Sequence, residues 1–374
     1  MDAVKGGRHM LDELLGRHFV SLFLILLFSI RLSSQKTSQD HELRYFWMTV
    51  LSCLLLVVED LVELDSSLRP EMRFWRTLSS AAGYVLRSTA TLGLVLVVCR
   101  PEQRRIGLWI PWIVNLLVCC TAFFTDWAFG FDEEYRFYRG PLGYVSFAVP
   151  ILYLLALLWM TFQRYNGAGD GLTDRLTLLG CAVLCLSSAL LDALRGGVRL
   201  HEAILISSFM FYVFLRSCDA RRDPLTRLLN RQSMYDDFAG RFRYVTAAVS
   251  LDMNGLKRLN DTYGHQAGDE ALKEVGGILS EAVGRQTRAY RVGGDEFVML
   301  FYRQEEAKVQ ETLERIQEKA SGKEYGLAYG YAMRRTEDDP DSLLHRADME
   351  MYGRKAEYYK TSSHDRRSRD RRLS

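Results

Sequence analysis

Arg291-Val292-Gly293-Gly294-Asp295-Glu296-Phe297 decides how this chain is read, because two glycines followed by two acids lie between stretches that look like β-strands. Ala289–Val292 and Phe297–Tyr302 are rich in the β-branched and aromatic residues that suit a pleated surface. The pattern predicts a hairpin. Glycines without Cβ atoms allow positive φ and the close approach of a bulky anion, while Asp295 and Glu296 place hard oxygen ligands where Mg²⁺ would accept them. Taken alone, the same residues also read as a hairpin with a solvated acidic turn.

Four further blocks surround it: Asp223-Pro224-Leu225-Thr226-Arg227-Leu228-Leu229-Asn230-Arg231, the run from Asp252-Met253-Asn254-Gly255-Leu256-Lys257 to Gly264-His265-Gln266-Ala267-Gly268-Asp269, Gly326-Leu327-Ala328-Tyr329-Gly330, and Ala347-Asp348-Met349-Glu350-Met351-Tyr352-Gly353-Arg354-Lys355. In this order the blocks resemble the GGDEF family of diguanylate cyclases, which join two GTP molecules into cyclic di-GMP. The resemblance spans residues 223 to about 360. Local patterning agrees with it. Thr246–Leu251 reads as a buried strand ending at Asp252, Asp269–Gly284 as an amphipathic helix, Val309, Leu313 and Ile316 as a second, Tyr325–Ala332 as a strand and Leu343 to about Lys355 as a last helix. That order, β-α-β-β-α-β with additions, suits a ferredoxin-like split βαβ fold, the palm-like α/β (α+β) architecture that the resemblance implies.

Composition divides the 374 residues more sharply than length does. Residues 1–216 carry long apolar stretches and read as an all-α, multi-pass membrane bundle with a sensory or regulatory role. Residues 217–360 have the mixed charge of a soluble α/β domain, and 361–374, with five arginines, two aspartates and almost nothing apolar, read as a basic disordered tail. About seven spans are expected, at approximately 12–32, 44–62, 77–99, 106–125, 140–162, 176–194 and 200–216. The cyclase-like part must meet cytoplasmic GTP, so the chain is expected in a bacterial inner membrane with that domain cytoplasmic and its N-terminus outside. Arg100, Arg104 and Arg105 agree with the positive-inside rule, whereas Arg69, Arg73 and Arg76 fall in an expected outer loop. The short link Arg216–Asp223 reads as a rigid coupler, Asp126–Arg139 as a solvated loop, and Arg87 as an intramembrane charge that either functions or snorkels. The seven cysteines read as small apolar residues of the spans, with no disulfide framework and no zinc. A formal charge of +2 gives no reason to expect a nucleic-acid partner.

Joining two GTP molecules requires a 3′-hydroxyl to attack an α-phosphorus, hence metal ions, a proton acceptor and cations for the phosphates. Asp252 at a strand end and Asp295 at a hairpin tip can converge on Mg²⁺ (or Mn²⁺). By resemblance, the Met253 carbonyl adds a ligand, Asp295 accepts the proton, Glu296 is an accessory metal acid and Lys257 stabilises the transition state. Asn260 and Asp269 match the positions that read guanine, whose adjacent N–H donors suit an ionised carboxylate; His265 matches a substrate contact and Lys355 a phosphate contact. Two departures stand out. Where the family has a further cation beyond the last lysine, this chain has Tyr359, with Lys360 beside it. The Arg-x-x-Asp pair through which product inhibits many members is replaced by Gly284 and Thr287, with Arg285 and Arg288 nearby. Each nucleotide sits on its own domain, so a homodimer is implied. The alternatives are a silent domain serving as a GTP or cyclic di-GMP receptor, and a transporter with a regulatory cap, against which no repeated halves or broken helices are legible. The sensory ligand is unknown from sequence.

Overall fold

Within a membrane the backbone must satisfy its own hydrogen bonds, which turns long apolar runs into helices. The computed structural model describes residues 2–34, 40–67, 69–99, 106–165, 172–195, 200–323 and 325–373, and it divides into two units, Met1–Arg216 and Ser217–Ser374. The first unit contains α1 (Asp2–Ser33), α2 (Asp40–Ser67), α3 (Arg73–Val98), α4 (Ile106–Thr121), α5 (Val145–Tyr165), α6 (Leu172–Arg195) and, as far as Arg216, α7 (Leu200–Ala220), with the strands β1 (Phe129–Phe131) and β2 (Phe137–Arg139) between α4 and α5. Among the described residues five helical segments are long and apolar enough to span: Gly16–Ser33, Glu42–Ser67, Arg73–Val98, Val145–Gln163 and Leu200–Ala220. Five of the seven expected spans are thus supported among the described residues, and seven are not confirmed. Ile106–Thr121 and Leu176–Leu191 are the two that fall short. At 1.5 Å per residue these apolar stretches cover only about 24 Å, less than a hydrocarbon core of about 30 Å, although α6 as a whole is 24 residues long.

The segment expected to be a solvated loop is instead a hairpin with a core. Phe129, Phe131 and Phe137 pack with Tyr84 of α3 and Phe147 of α5, because a short two-stranded ribbon gains stability only by burying an aromatic face. Arg76, expected in an outer loop, lies on α3 and is 9% exposed. Its guanidinium meets Glu63 at 3.2 Å, donates to the Tyr135 carbonyl at 2.6 Å and sits over the Phe131 ring. Arg76 is thus a packing residue and does not count in the charge rule. Arg87 lies over the Tyr84 ring at 5.3 Å. Arg100, Arg104 and Arg105 lie outside the described residues.

The second unit continues with β3 (Leu229–Asn230), α8 (Arg231–Arg241), β4 (Val245–Asn254), α9 (Leu256–Tyr263), α10 (His265–Ala282), β5 (Thr287–Arg291), β6 (Glu296–Tyr302), α11 (Glu306–Ala320), β7 (Gly326–Met333) and α12 (Pro340–Leu373). The sheet order is β3-β5-β6-β4-β7, with β3 parallel to β5 and the other neighbours antiparallel. Strands β4 to β7 with α10 and α11 form the split βαβ arrangement. Alternation along β4 separates two cores. Ala247, Val249, Leu251 and Met253 join α10 and α11 on one face, while Val245 and Ala248 join α8 and α12 on the other. At Gly330 of β7 an added Cβ would stand 2.2 Å from the Met351 amide, so glycine is what lets α12 lie against the sheet.

Three boundaries differ from expectation. Strand β4 runs two residues past Asp252, to Asn254, and ends at Gly255 with φ +86°. Helix α10 starts at His265, so Asp269 is in its second turn and does not cap it. Helix α12 extends to Leu373 through the stretch expected to be disordered. After Gly353 that stretch holds no glycine or proline and many arginines, which favour helix over coil.

Candidate active site

The hairpin between β5 and β6 is held by backbone contacts at its neck. The Val292 and Gly293 amides both donate to the Glu296 carbonyl, at 3.0 and 3.3 Å, as in a β-bulge. The Met253 amide donates to the Asp295 carbonyl at 3.0 Å, tying the turn to β4. The positive φ expected at Gly293 and Gly294 is not found, since the positive-φ glycines among the described residues are Gly255, Gly264 and Gly322. The bulge closes the turn with ordinary dihedrals. What the glycines contribute is space: a Cβ on Gly293 would stand 2.5 Å from Glu296 Oε2, and above Gly294 the surface is open.

Asp252 is 4% exposed and lies opposite Glu296 in the β4–β6 register. Its Oδ2 meets Lys355 Nζ of α12 at 2.7 Å. Its Oδ1 is buried without a hydrogen-bond partner among the described residues. Burial pushes the Asp252 carboxyl up, Lys355 counters that shift, and the nearby charge of Asp295 adds to it. The two acids therefore share one locality. Met253 is 1% exposed with its side chain in the core, so it can offer the site only its backbone. Glu296 is exposed and lines a separate cavity of about 200 Å³ with Arg231, Ser250 and Asp348. Among the described residues no three His, Cys, Asp or Glu side chains stand at metal-holding distance. Asp252 and Asp295, with one orphaned carboxylate oxygen and a backbone carbonyl, still fit Mg²⁺, which keeps waters and substrate oxygens in its shell and does not require a closed protein cage.

Helix packing brings Asn260 against Gly268, the neighbour of Asp269 in sequence. Their helices α9 and α10 turn at Gly264, φ +86°, whose amide donates to the Asn260 carbonyl at 2.9 Å. The Asn260 amide lies against Gly268, where an added Cβ would stand 2.0 Å from Asn260 Oδ1. Among the described residues that oxygen is buried without a partner. His265, Asp269 and Lys257 are exposed. Lys355, expected as a phosphate contact, stands 2.7 Å from Asp252 at the same site. The side chains of Tyr359 and Lys360 lie outside the described residues.

Sequence reasoning missed the clamp on the hairpin. Arg291 donates from Nε and Nη2 to the Gly294 carbonyl, at 3.2 and 2.8 Å, and from Nη1 to Asp223 Oδ1 at 3.0 Å. Asp223 Oδ1 also accepts from the Thr226 amide and hydroxyl, both at 2.8 Å. Burial works against the Asp223 carboxylate, yet the Thr226 and Arg291 hydrogen bonds hold it below the usual range. The signal was an arginine and an aspartate 68 positions apart, which no local pattern links. Ser250 and Asn254 were missed as well. They flank Asp252 on one face of β4, and Ser250 Oγ and Asn254 Oδ1 are buried without partners among the described residues; here the polar alternation within the strand could have been read. Arg288, near the missing inhibitory pair, is committed elsewhere. It donates to both oxygens of Asp237 at 2.8 and 2.7 Å, beside the Tyr290 hydroxyl, which donates to Asp237 at 2.6 Å.

Residues 220–360 match the family described as "Diguanylate cyclase, GGDEF domain", and that segment of the chain is a GGDEF domain. The chain is 33% identical over 148 residues to diguanylate cyclase DgcN of Escherichia coli, covering 36% of this chain and 36% of that protein. To diguanylate cyclase DgcP of the same organism it is 32% identical over 155 residues, covering 37% and 46%. The chain thus spans less than half the length of these relatives. Among solved structures, the coiled coil and GGDEF domain of DgcB from Caulobacter crescentus in complex with c-di-GMP is 28% identical, with 41% of this chain and 94% of that chain covered at a TM-score of 0.36.

Proposed function

We propose that the chain is a membrane-bound diguanylate cyclase that condenses two GTP into cyclic di-GMP and two pyrophosphates under the control of residues 1–216. The observation that carries this reading is the pairing of buried Asp252, one oxygen unsatisfied, with Asp295 on the adjoining hairpin. Asp252, Asp295 and the Met253 carbonyl would hold Mg²⁺ or Mn²⁺, with Glu296 as an accessory acid. A divalent ion there supplies charge for the phosphoryl oxygens and lowers the cost of ionising the attacking hydroxyl.

Asp295 accepts the 3′-hydroxyl proton as that oxygen bonds to the α-phosphorus of the second GTP and pyrophosphate leaves. Lys355, 2.7 Å from Asp252, would supply positive charge to the phosphates beside the metal-holding acids. Lys257, exposed at the start of α9, stabilises charge on the α-phosphoryl group. Asn260 and Asp269 read guanine and His265 adds a substrate contact. The reacting GTP is carried by a second copy, so the active form is a two-fold homodimer. The candidate spans support a bacterial inner membrane with the GGDEF domain cytoplasmic. The test is cyclic di-GMP formation by the full chain and by Asp295→Ala, read by mass spectrometry. The variant is expected to make none, and equal product from both would end the assignment.

A further inference from the structure

Three oxygens on one face of β4 are buried and unsatisfied among the described residues: Ser250 Oγ, Asp252 Oδ1 and Asn254 Oδ1. Their residues are 3%, 4% and 2% exposed and recur at every second position, the period that keeps side chains on one side of a strand. A buried polar atom without a partner is destabilising, so native structures keep one where something else arrives to fill it. Ser250 lines the cavity of about 200 Å³ beside Arg231, Glu296 and Asp348, a space polar and roomy enough for water to reach its hydroxyl. Asn254 does not line that cavity. Its backbone is fixed as the last residue of β4, opposite Gly326 of β7, and Gly255 follows with φ +86°. The strand thus holds the Asn254 side chain in place, and no donor among the described residues meets its oxygen.

An ionised Asp252 cannot be that donor, because a carboxylate only accepts. The phosphates of a nucleotide bring acceptors as well. A hydrated divalent ion satisfies both neighbours at once: its charge meets the carboxylate, and the waters it keeps in its shell are donors. Lys355 stands 2.7 Å from Asp252 Oδ2, so the open oxygen is Oδ1. Side chains two residues apart on one strand face stand about 7 Å from each other. Two metal–oxygen bonds of about 2.1 Å fall short of that separation, and a metal-bound water closes the difference with a hydrogen bond of about 2.8 Å. The amide oxygen accepts such a bond without adding charge. Groups that orient a metal's shell in this way set its affinity by about 10- to 100-fold.

We propose that Asn254 is a positioning residue for the metal, its Oδ1 accepting a hydrogen bond from water on a divalent ion held at Asp252, an ion that rests on the function proposed above. The test titrates Mn²⁺ alone into the full chain in detergent and reads the free ion by its EPR signal; the site's share of binding is the part that Asp252→Asn removes. Asn254→Leu, of similar shape and without an acceptor, should weaken that share about tenfold or more. Asn254→Asp keeps the acceptor and should bind at least as tightly as wild type. The Mg²⁺ concentration that half-saturates cyclic di-GMP formation should rise in Asn254→Leu by the same factor as the Mn²⁺ dissociation constant. The metal-free Asn254→Leu chain should melt at or above the wild-type temperature, since an unsatisfied acceptor gives way to an apolar group. Unchanged Mn²⁺ affinity in Asn254→Leu, an equal loss in Asn254→Asp, or a lower metal-free melting temperature alongside the loss overturns the role. If Mn²⁺ binding depends on Asn254 while no cyclic di-GMP forms, the positioning role stands and the cyclase reading fails. Product formation with Mn²⁺ binding indifferent to Asn254 overturns the positioning role and leaves the cyclase reading standing.

Discussion

Replacing Arg291 by methionine keeps most of the side-chain volume and removes three donor contacts at once, two to the Gly294 carbonyl and one to Asp223. Arg291 and Asp223 are 13% and 17% exposed, so water screens them little. Breaking a fully buried pair costs about 3–5 kcal/mol; with this residual exposure about 2–3 kcal/mol is expected, divided between domain stability and the order of the hairpin. If 2 kcal/mol falls on the hairpin, the catalytic geometry is populated about thirtyfold less. The assay is the rate of cyclic di-GMP formation by the full chain at saturating GTP, for Arg291→Met, Asp223→Asn and the double variant. Because one contact is shared, the double variant should lose about 1–3 kcal/mol less than the sum of the singles. Additive losses, or a single variant with wild-type rate and stability, would refute the clamp. The same pair sets a pH limb. Asp223 has its folded-state value lowered, so its stabilisation is fully present above the unfolded value of about 3.9 and is lost as pH falls through the folded value. Asp223→Asn should therefore flatten the acid end of the stability profile.

Gly268→Ala would place a methyl group 2.0 Å from Asn260 Oδ1, so KM for GTP should rise about tenfold or more with little change in kcat, as initial-rate kinetics would show. Asp237→Asn leaves Arg288 buried without its counter-charge and should cost about 3–5 kcal/mol in denaturant melts, while the acids at the hairpin stay untouched. Arg288 is tied to Asp237, and Gly284 and Thr287 replace the inhibitory pair. Cyclic di-GMP added up to high micromolar concentration should therefore leave the initial rate unchanged; a progress curve that slows with added product would contradict this.

Much of the GGDEF domain was legible because its signals are local. A buried apolar run announced β4, β-branched and aromatic residues announced β5 and β6, the glycine–acid tip announced the hairpin, and ordered blocks from Asp223 to Lys355 named the resemblance. Strand and helix limits slipped by a few residues because Gly255 and Gly264 end elements through φ rather than through any break in hydrophobicity. The span count stayed open, since hydropathy reports apolarity and not how long the uninterrupted apolar stretch of each helix is.

Residue order alone therefore determined the two-part plan, the acids at a strand and a turn, and the absence of the product-binding pair, all of which depend on neighbours along the chain. Only tertiary structure decided that Lys355 rests on Asp252, that Arg291 joins Asp223 to the hairpin, and that Arg76 is a packing residue. These contacts join distant elements. Their energies come from burial and charge proximity, and neither exists until the helices and sheet have packed.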